Sequence, residues 1–285
     1  MRTSTSKPLH AALVTGAASG VGRYVAARLA ARGTRVAAID TDEAGLHALA
    51  ATSPLVTPFV CDVSDEAATR AAVHSAHTTV GPFAQAVHCA GIAPLGRVLD
   101  QSTADFERAM RVNYLGTVHV AQAAVPLLVE RGGGSFIAIA SIAGWIPLTD
   151  IGAYSASKAA VIAFCEVLAA ESRHAGIRVV CVCPAAVETP MLQGLRRDHP
   201  DVINDRPGLP PAAIYDAAER ALRRGQLFSF PGRGTKALWR ARRAAPVNLT
   251  RLLDTAIKRQ RSGNAGPPRG DAPSAPGENS TSHRP

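Results

Sequence analysis

The stretch Thr15-Gly16-Ala17-Ala18-Ser19-Gly20-Val21-Gly22 decides the reading of this chain. It joins a short apolar run, Ala11 to Thr15, to an Ala-rich segment whose apolar residues recur at three- and four-residue spacing. That sequence of patterns predicts a strand, a tight turn and a helix. Glycines in such a turn let the backbone bend sharply and come close to a diphosphate, which then meets the free amides and positive end of the helix. The spacing Gly-x-x-x-Gly-x-Gly differs from the general dinucleotide fingerprint Gly-x-Gly-x-x-Gly. Gly16, Ser19, Gly20, Val21 and Gly22 are the expected phosphate-binding residues.

Outward from that turn the same alternation continues to about residue 231. Strands are expected at Ala11 to Thr15, Arg35 to Ile39, Leu55 to Val60, Ala84 to Cys89, Ser135 to Ala140, Ile177 to Cys183 and Leu227 to Phe230. Helical patterns fill the gaps at about 20–33, 42–51, 64–79, 102–131, 153–175 and 211–225. Alternation of this kind implies βαβ units, hence one α/β domain over 8–231: a doubly wound, Rossmann-type parallel sheet of seven strands flanked by helices. The stretch from Thr189 to Pro211 breaks the rhythm with five prolines among charges, and a long irregular segment inside a domain reads as a lid over a site.

Two further places carry chemistry. Asp40 ends the second strand, 24 residues after Gly16, where a carboxylate can accept hydrogen bonds from ribose hydroxyls and would repel a 2′-phosphate. Neither Ser19 nor Thr41 supplies a compensating cation, so NAD is expected rather than NADP. The second place is Tyr154-Ser-Ala-Ser-Lys158 at the start of a long helix, where side chains four apart share a face and put an ammonium near a phenol. A phenol of ordinary pKa needs about 4 kcal/mol of preferential stabilisation of its anion to act as a base near neutrality, and a nearby cation in a partly dry pocket can supply that order of energy. Ser141 lies 13 residues upstream, at the expected carboxyl end of a strand, where open α/β sheets build their sites.

Taken together, Thr15-Gly16-x-x-x-Gly20-x-Gly22, Asp62, Ala90-Gly91, Asn113, Ser141 and Tyr154-x-x-x-Lys158 resemble, in order and spacing, the short-chain dehydrogenases/reductases with subunits of roughly 250 residues. The resemblance covers about residues 10–231. It implies that Tyr154 transfers a proton, that Lys158 lowers its pKa and holds the nicotinamide ribose, that Ser141 orients the substrate oxygen, and that Asn113 supports a proton-relay water through a helix kink. It further implies that Asp62 and Val63 contact adenine, that Ala90 and Gly91 belong to the cofactor site, and that Pro184 to Thr189 border the nicotinamide, with Val187 and Thr189 near its carboxamide. A homodimer or homotetramer is the expected assembly. Two positions depart from the family. His88-Cys89-Ala90-Gly91 stands where Asn-Asn-Ala-Gly is usual, so the hydrogen bonds of the Asn pair must be replaced or lost, and Pro184-Ala185 stands where Pro-Gly is usual.

The side chains expected to face the substrate are apolar: Pro94, Leu95, Ile142, Trp145, Ile146, Leu148, Val187, Met191, Leu192 and Leu195. They point to a lipophilic secondary alcohol or ketone. An NADPH-dependent ketoreductase and a non-catalytic dinucleotide sensor are the alternatives.

The formal charge of +9 is unevenly placed. Residues 1–195 hold 14 basic and 14 acidic side chains, whereas residues 220–261 hold 12 basic and one acidic, so the excess belongs to an appendage after the last strand. Residues 232–261 read as two basic amphipathic helices split by Pro246, one with Leu238 and Trp239, the other with Leu249, Leu252, Leu253, Ala256 and Ile257. Such helices suit an anionic membrane surface, or packing on this or a neighbouring subunit, while no nucleic-acid reading motif accompanies them. Residues 262–285, with 13 Gly, Pro or Ser and no large apolar side chain, are expected to be a disordered tail. No secretory signal or uninterrupted apolar span is evident, and five scattered cysteines do not make a disulfide framework, so a cytoplasmic protein is expected. No metal site is expected: Cys181 and Cys183 alternate on one face of a buried strand, and His74 and His77 lack a third ligand.

Overall fold

A computed structural model describes residues 10–200 and 207–247, with Leu252 and Thr255 beyond them. The expected tail, nearly all of the second amphipathic stretch and residues 201–206 of the expected lid lie outside the described residues.

Seven parallel strands form one sheet in the order β3-β2-β1-β4-β5-β6-β7: β1 Ala11–Thr15, β2 Arg35–Asp40, β3 Val56–Val60, β4 Gln85–His88, β5 Gly134–Ile139, β6 Ile177–Val182 and β7 Phe228–Ser229. The helices are α1 Gly20–Ala31, α2 Glu43–Ala50, α3 Glu66–Val80, α4 Thr103–Ala109, α5 Gly116–Glu130, α6 Gly152–Ser172, α7 Pro190–Asp198, α8 Pro211–Arg223 and α9 Thr235–Ala244. The chain order reverses beside β1, which pairs with β2 on one side and β4 on the other, and this leaves a crevice at the carboxyl ends of the strands.

Strand alternation separates two cores. Ala12, Val14, Val36, Ala38, Ile137 and Val182 pack towards Val25, Leu29, Leu46 and Tyr215 of α1, α2 and α8. Leu13, Ile39, Ala86, Phe136, Ala138 and Cys181 pack towards Val73, Val120, Leu128 and Val161 of α3, α5 and α6. Cys181 and Cys183 are fully buried free thiols in the second core.

Two differences from the sequence expectation have local causes. The long helix expected over 102–131 is interrupted at Met110–Leu115 by a π-helical turn that joins α4 to α5. The expected irregular lid contains α7 instead, because Pro190 occupies a first-turn position where its missing N–H costs nothing, and Thr189 Oγ1 accepts from Leu192 N at 3.4 Å as the N-cap. Thr103–Glu130 and Gly152–Ala175 are long and apolar enough, by length and composition, to cross a membrane; 50% and 39% of their most apolar windows are buried inside the fold.

Candidate active site

The crevice is a cavity of about 480 Å³. Every residue expected to bind cofactor or take part in catalysis lines it except Asn113, which is wholly buried behind it.

The glycine turn forms one end. Gly16 has φ +65°, and a Cβ there would lie 2.7 Å from the Ala90 amide nitrogen. A Cβ at Gly22 would fall inside the Gly16 carbonyl oxygen. Side chains at either position would close the cradle that a diphosphate needs. Ser19 caps α1 with extended backbone and no side-chain hydrogen bond, so it covers none of the first-turn amides. These features fit a dinucleotide.

Asp40 does more than end β2. Its Oδ2 accepts from Ala18 N at 2.9 Å and its Oδ1 from Asp42 N at 3.1 Å, so it also holds the glycine turn against the sheet. Arg23 Nη1 donates to Ala18 O at 3.4 Å and to Gly45 O at 3.2 Å, which places a cation beside the same turn. An arginine in a first helical turn carries no sequence signal of where it folds back. Asp62 turns its own loop by accepting from Ser64 N at 2.9 Å, and Val63 O is met by His119 Nδ1 at 2.9 Å.

The His88 substitution is accommodated across β1. Thr15 Oγ1 accepts from Cys89 N at 3.2 Å and from Ala90 N at 3.4 Å, and shares a hydrogen bond with His88 Nδ1 at 2.8 Å. The other ring nitrogen, Nε2, is buried with no partner among the described residues. Burial first, then the Lys158 charge, pushes the His88 pKa down to about 3.

Asn113 sits in the π turn. Its Nδ2 donates to Ile92 O and to Ser157 Oγ, each at 2.9 Å, and its Oδ1 accepts from Ile92 N at 2.8 Å. It thus ties the loop after β4 to the helix bearing Tyr154 and Lys158. Ser157, which no sequence motif singles out, also donates to Tyr154 O at 2.8 Å and so locks the first turn of α6.

Ser141 ends the β5 connection and caps the short 3₁₀ turn Ile142–Gly144, its Oγ accepting from Ala143 N at 3.1 Å. Lys158 is buried, with Nζ donating to Ile139 O at 2.9 Å and lying 5.8 Å from the Tyr154 ring centroid. Burial lowers its pKa to about 8 against the opposing influence of the surrounding thiols, Cys181 foremost. The surroundings that the chain itself provides favour the neutral Tyr154 phenol. Burial raises the phenol above its ordinary value, the hydrogen bond with Ser141 opposes this, and Cys183 adds to the rise. Desolvation outweighs the hydrogen bond, and Lys158 gives one of its three N–H donors to the Ile139 carbonyl.

At the other end, Leu95, Ile142, Leu148, Val187, Met191, Leu192 and Leu195 line the cavity as expected. Pro94, Trp145 and Ile146 do not: Ile146 is buried in packing, and Trp145 turns to Phe228 and Trp239. Among the described residues that line the cavity, Lys158 is the only Lys or Arg. A latch that the sequence did not reveal closes the base of the α7 segment. Glu188 takes Arg196 Nη1 at 3.0 and 3.1 Å and the Gly208 amide at 3.0 Å, while Leu209 N donates to Ala186 O. The Gly208 amide above all, then Arg196, holds the Glu188 carboxyl below the usual carboxylate range.

A doubly wound parallel sheet with a glycine turn at its switch point and a Ser, Tyr and Lys converging at the strand ends defines a dinucleotide-binding oxidoreductase architecture. A model of the short chain dehydrogenase family matches residues 10–200, and the chain belongs to that family, whose members bind a nicotinamide dinucleotide. The chain is 37% identical over 182 residues to D-threitol dehydrogenase of Mycolicibacterium smegmatis, covering 62% of this chain and 70% of that protein. It is 37% identical over 181 residues to 2-keto-3-deoxy-L-fuconate dehydrogenase of Xanthomonas campestris (63% and 59%) and to probable oxidoreductase EphD of Mycobacterium tuberculosis (62% and 31%). The chain therefore spans less than two thirds of the length of several of these relatives. Among solved structures it is similar to an actinorhodin polyketide ketoreductase with NADPH, at TM-score 0.74 and 26% identity, covering 80% of this chain and 97% of that one.

Proposed function

We propose that the protein is an NAD-dependent dehydrogenase for a lipophilic secondary alcohol, interconverting it with the ketone. The observation that carries this reading is the convergence of Ser141, Tyr154 and Lys158 on one cavity whose far end is apolar. The glycine turn, Asp40, Asp62, Val63 and the Pro184 to Thr189 segment would hold the dinucleotide, and nicotinamide would supply the hydride acceptor. Ser141 Oγ would hold the substrate oxygen beside the Tyr154 hydroxyl, which takes the alcohol proton. Burial that raises the phenol pKa keeps Tyr154 protonated and therefore able to donate in the ketone direction. For the alcohol direction the phenolate needs the Lys158 charge, which burial confines to pH values below about 8. Asn113 and Ser157 fix α6 against the loop after β4, so that both groups keep their spacing.

Asp40 supports NAD over NADP. The relatives named for a polyol and for a sugar acid support chemistry at CH-OH groups, while the apolar lining favours a less polar substrate. A screen of secondary alcohols from 2-butanol to decalol with NAD and NADP tests this reading. Rising kcat/KM with apolar size, a preference for NAD and loss of that preference in Asp40→Ala are expected; no turnover of any alcohol despite tight NAD binding would favour the sensor reading.

A second proposal concerns the appendage. Trp239 of α9 is turned onto the fold, while Lys236, Arg240 and Arg243 are exposed. That row suits an anionic membrane surface. Co-sedimentation with vesicles of phosphatidylglycerol but not of phosphatidylcholine is expected, and equal binding to both would reject it. A homodimer or homotetramer, carried over from the family, is tested by light scattering.

A further inference from the structure

We propose that Trp239, in the basic appendage, is a positioning residue of the substrate end, acting through Trp145 on the turn that carries Ser141. The proposal rests on the reading of Ser141 as the holder of the substrate oxygen. It gives the appendage a part in catalysis that neither its charge nor the family match supplies, since the family model ends at residue 200.

The chain of contacts is continuous. The Trp239 ring stacks on Phe230 with centroids 4.8 Å apart and planes at 30°. The Arg243 guanidinium lies 5.3 Å from the Trp239 ring centroid. Trp145 meets Trp239 edge to face at 5.9 Å and Phe228 at 5.4 Å, in the arrangement that ring quadrupoles favour. Phe228 belongs to β7 and Phe230 follows it, so the rings seat α9 on the sheet edge. Buried Thr235, whose Oγ1 donates to Pro231 O at 3.2 Å, fixes the start of that helix.

Trp145 in turn anchors the catalytic loop. It directly follows the Ile142–Gly144 turn, and its backbone N–H donates to Ile142 O at 2.9 Å. Gly144 lies against the backbone of Lys158, where an added Cβ would come within 2.7 Å of the carbonyl carbon. On the inner side, Ser141, Ile142 and Ala143 line the cavity. The turn is therefore held from inside by α6 and from outside by the Trp145 ring, and α9 provides the outermost surface of that ring's seat. Both indole N–H groups are buried without a partner among the described residues, so a phenylalanine at position 239 keeps the ring and removes an unpaired donor.

The test compares wild type, Trp239→Ala and Trp239→Phe by 2-octanol oxidation with NAD, by NADH fluorescence titration and by hydrogen exchange of the amides of residues 142–146. In Trp239→Ala the 2-octanol KM is expected to rise about fivefold to tenfold with kcat within about twofold, NADH affinity unchanged and faster exchange confined to those amides. Trp239→Phe is expected to restore both readouts. Unchanged KM and unchanged exchange in Trp239→Ala would overturn the proposal, as would a global rise in exchange that Trp239→Phe fails to reverse. If wild type does not oxidise 2-octanol, the proposed activity fails on that substrate, while local exchange still decides whether Trp239 holds the turn.

Discussion

The two ends of the cavity are built in different ways. The end at β1, β2 and β4 is made of backbone: a turn in which Gly16 and Gly22 admit no Cβ, amides at a helix start, and Asp40 bonded to the turn amide of Ala18. The end at β5, β6 and β7 is made of side chains brought together from distant parts of the chain, with Trp145, Phe228, Phe230 and Trp239 outside and Leu148, Met191 and Leu195 inside. The first recognises what every member of the family must hold, and the second is free to vary with substrate. A rigid backbone cradle tolerates almost no change, while a packed apolar wall absorbs volume-conserving ones.

Substitution at the cradle should therefore have the largest effect. Gly22→Ala drives a methyl into the Gly16 carbonyl and is expected to cost about 1–3 kcal/mol or more, read as NADH binding weakened about tenfold to hundredfold or as failure to fold. Leu195→Met at the apolar end should leave NADH affinity unchanged. Equal tolerance at the two positions would break the contrast.

His88 gives the next effect. In the unfolded chain it takes up a proton near pH 6.5, and in the fold only near pH 3, so between those values the unfolded state binds more protons. Its contribution to stability is full above pH 6.5 and is lost as the pH falls towards 3. By pH 4 this amounts to on the order of 3 kcal/mol. Urea unfolding at pH 7 and pH 4 should show His88→Asn losing that much less stability on acidification, and parallel losses in both proteins would contradict it.

Lys158 has a smaller effect of the same sign, displaced to higher pH. Its pKa, lowered to about 8, means that the fold carries a buried charge at a cost below that pH, and that stability attributable to it rises between about pH 8 and its unfolded value of 10.5. Lys158→Met is expected to abolish turnover while raising the midpoint of urea unfolding at pH 7 by about 2 kcal/mol of stability, once the lost bond to Ile139 O is set against it. A drop in stability would show the ammonium to be structural.

This contrast also explains what the sequence disclosed. The places of the strands and the residues of the cradle follow from short local patterns, because a glycine turn between a strand and a helix needs no distant partner. Tyr154 and Lys158 were legible because one helical turn relates them. Trp145 was placed in the cavity by its nearness to Ser141, and the structure turns it outward, since its partners Phe228 and Trp239 lie more than eighty residues away. The Glu188 latch escaped notice for the same reason: Gly208 and Arg196 become its partners only when the α7 segment folds back. Four-residue spacing places Lys158 near the Tyr154 ring but says nothing of the Ile139 carbonyl that takes one of its N–H donors.

The central claim is that Tyr154 moves the proton in a cavity that otherwise binds and orients. Steady-state oxidation of the best alcohol from the screen, measured for wild type and Tyr154→Phe beside NADH titrations of both, tests it most directly. Loss of turnover by about 100-fold to 10,000-fold with NADH affinity within about twofold is the expected result. Turnover retained within tenfold of wild type in Tyr154→Phe would contradict it.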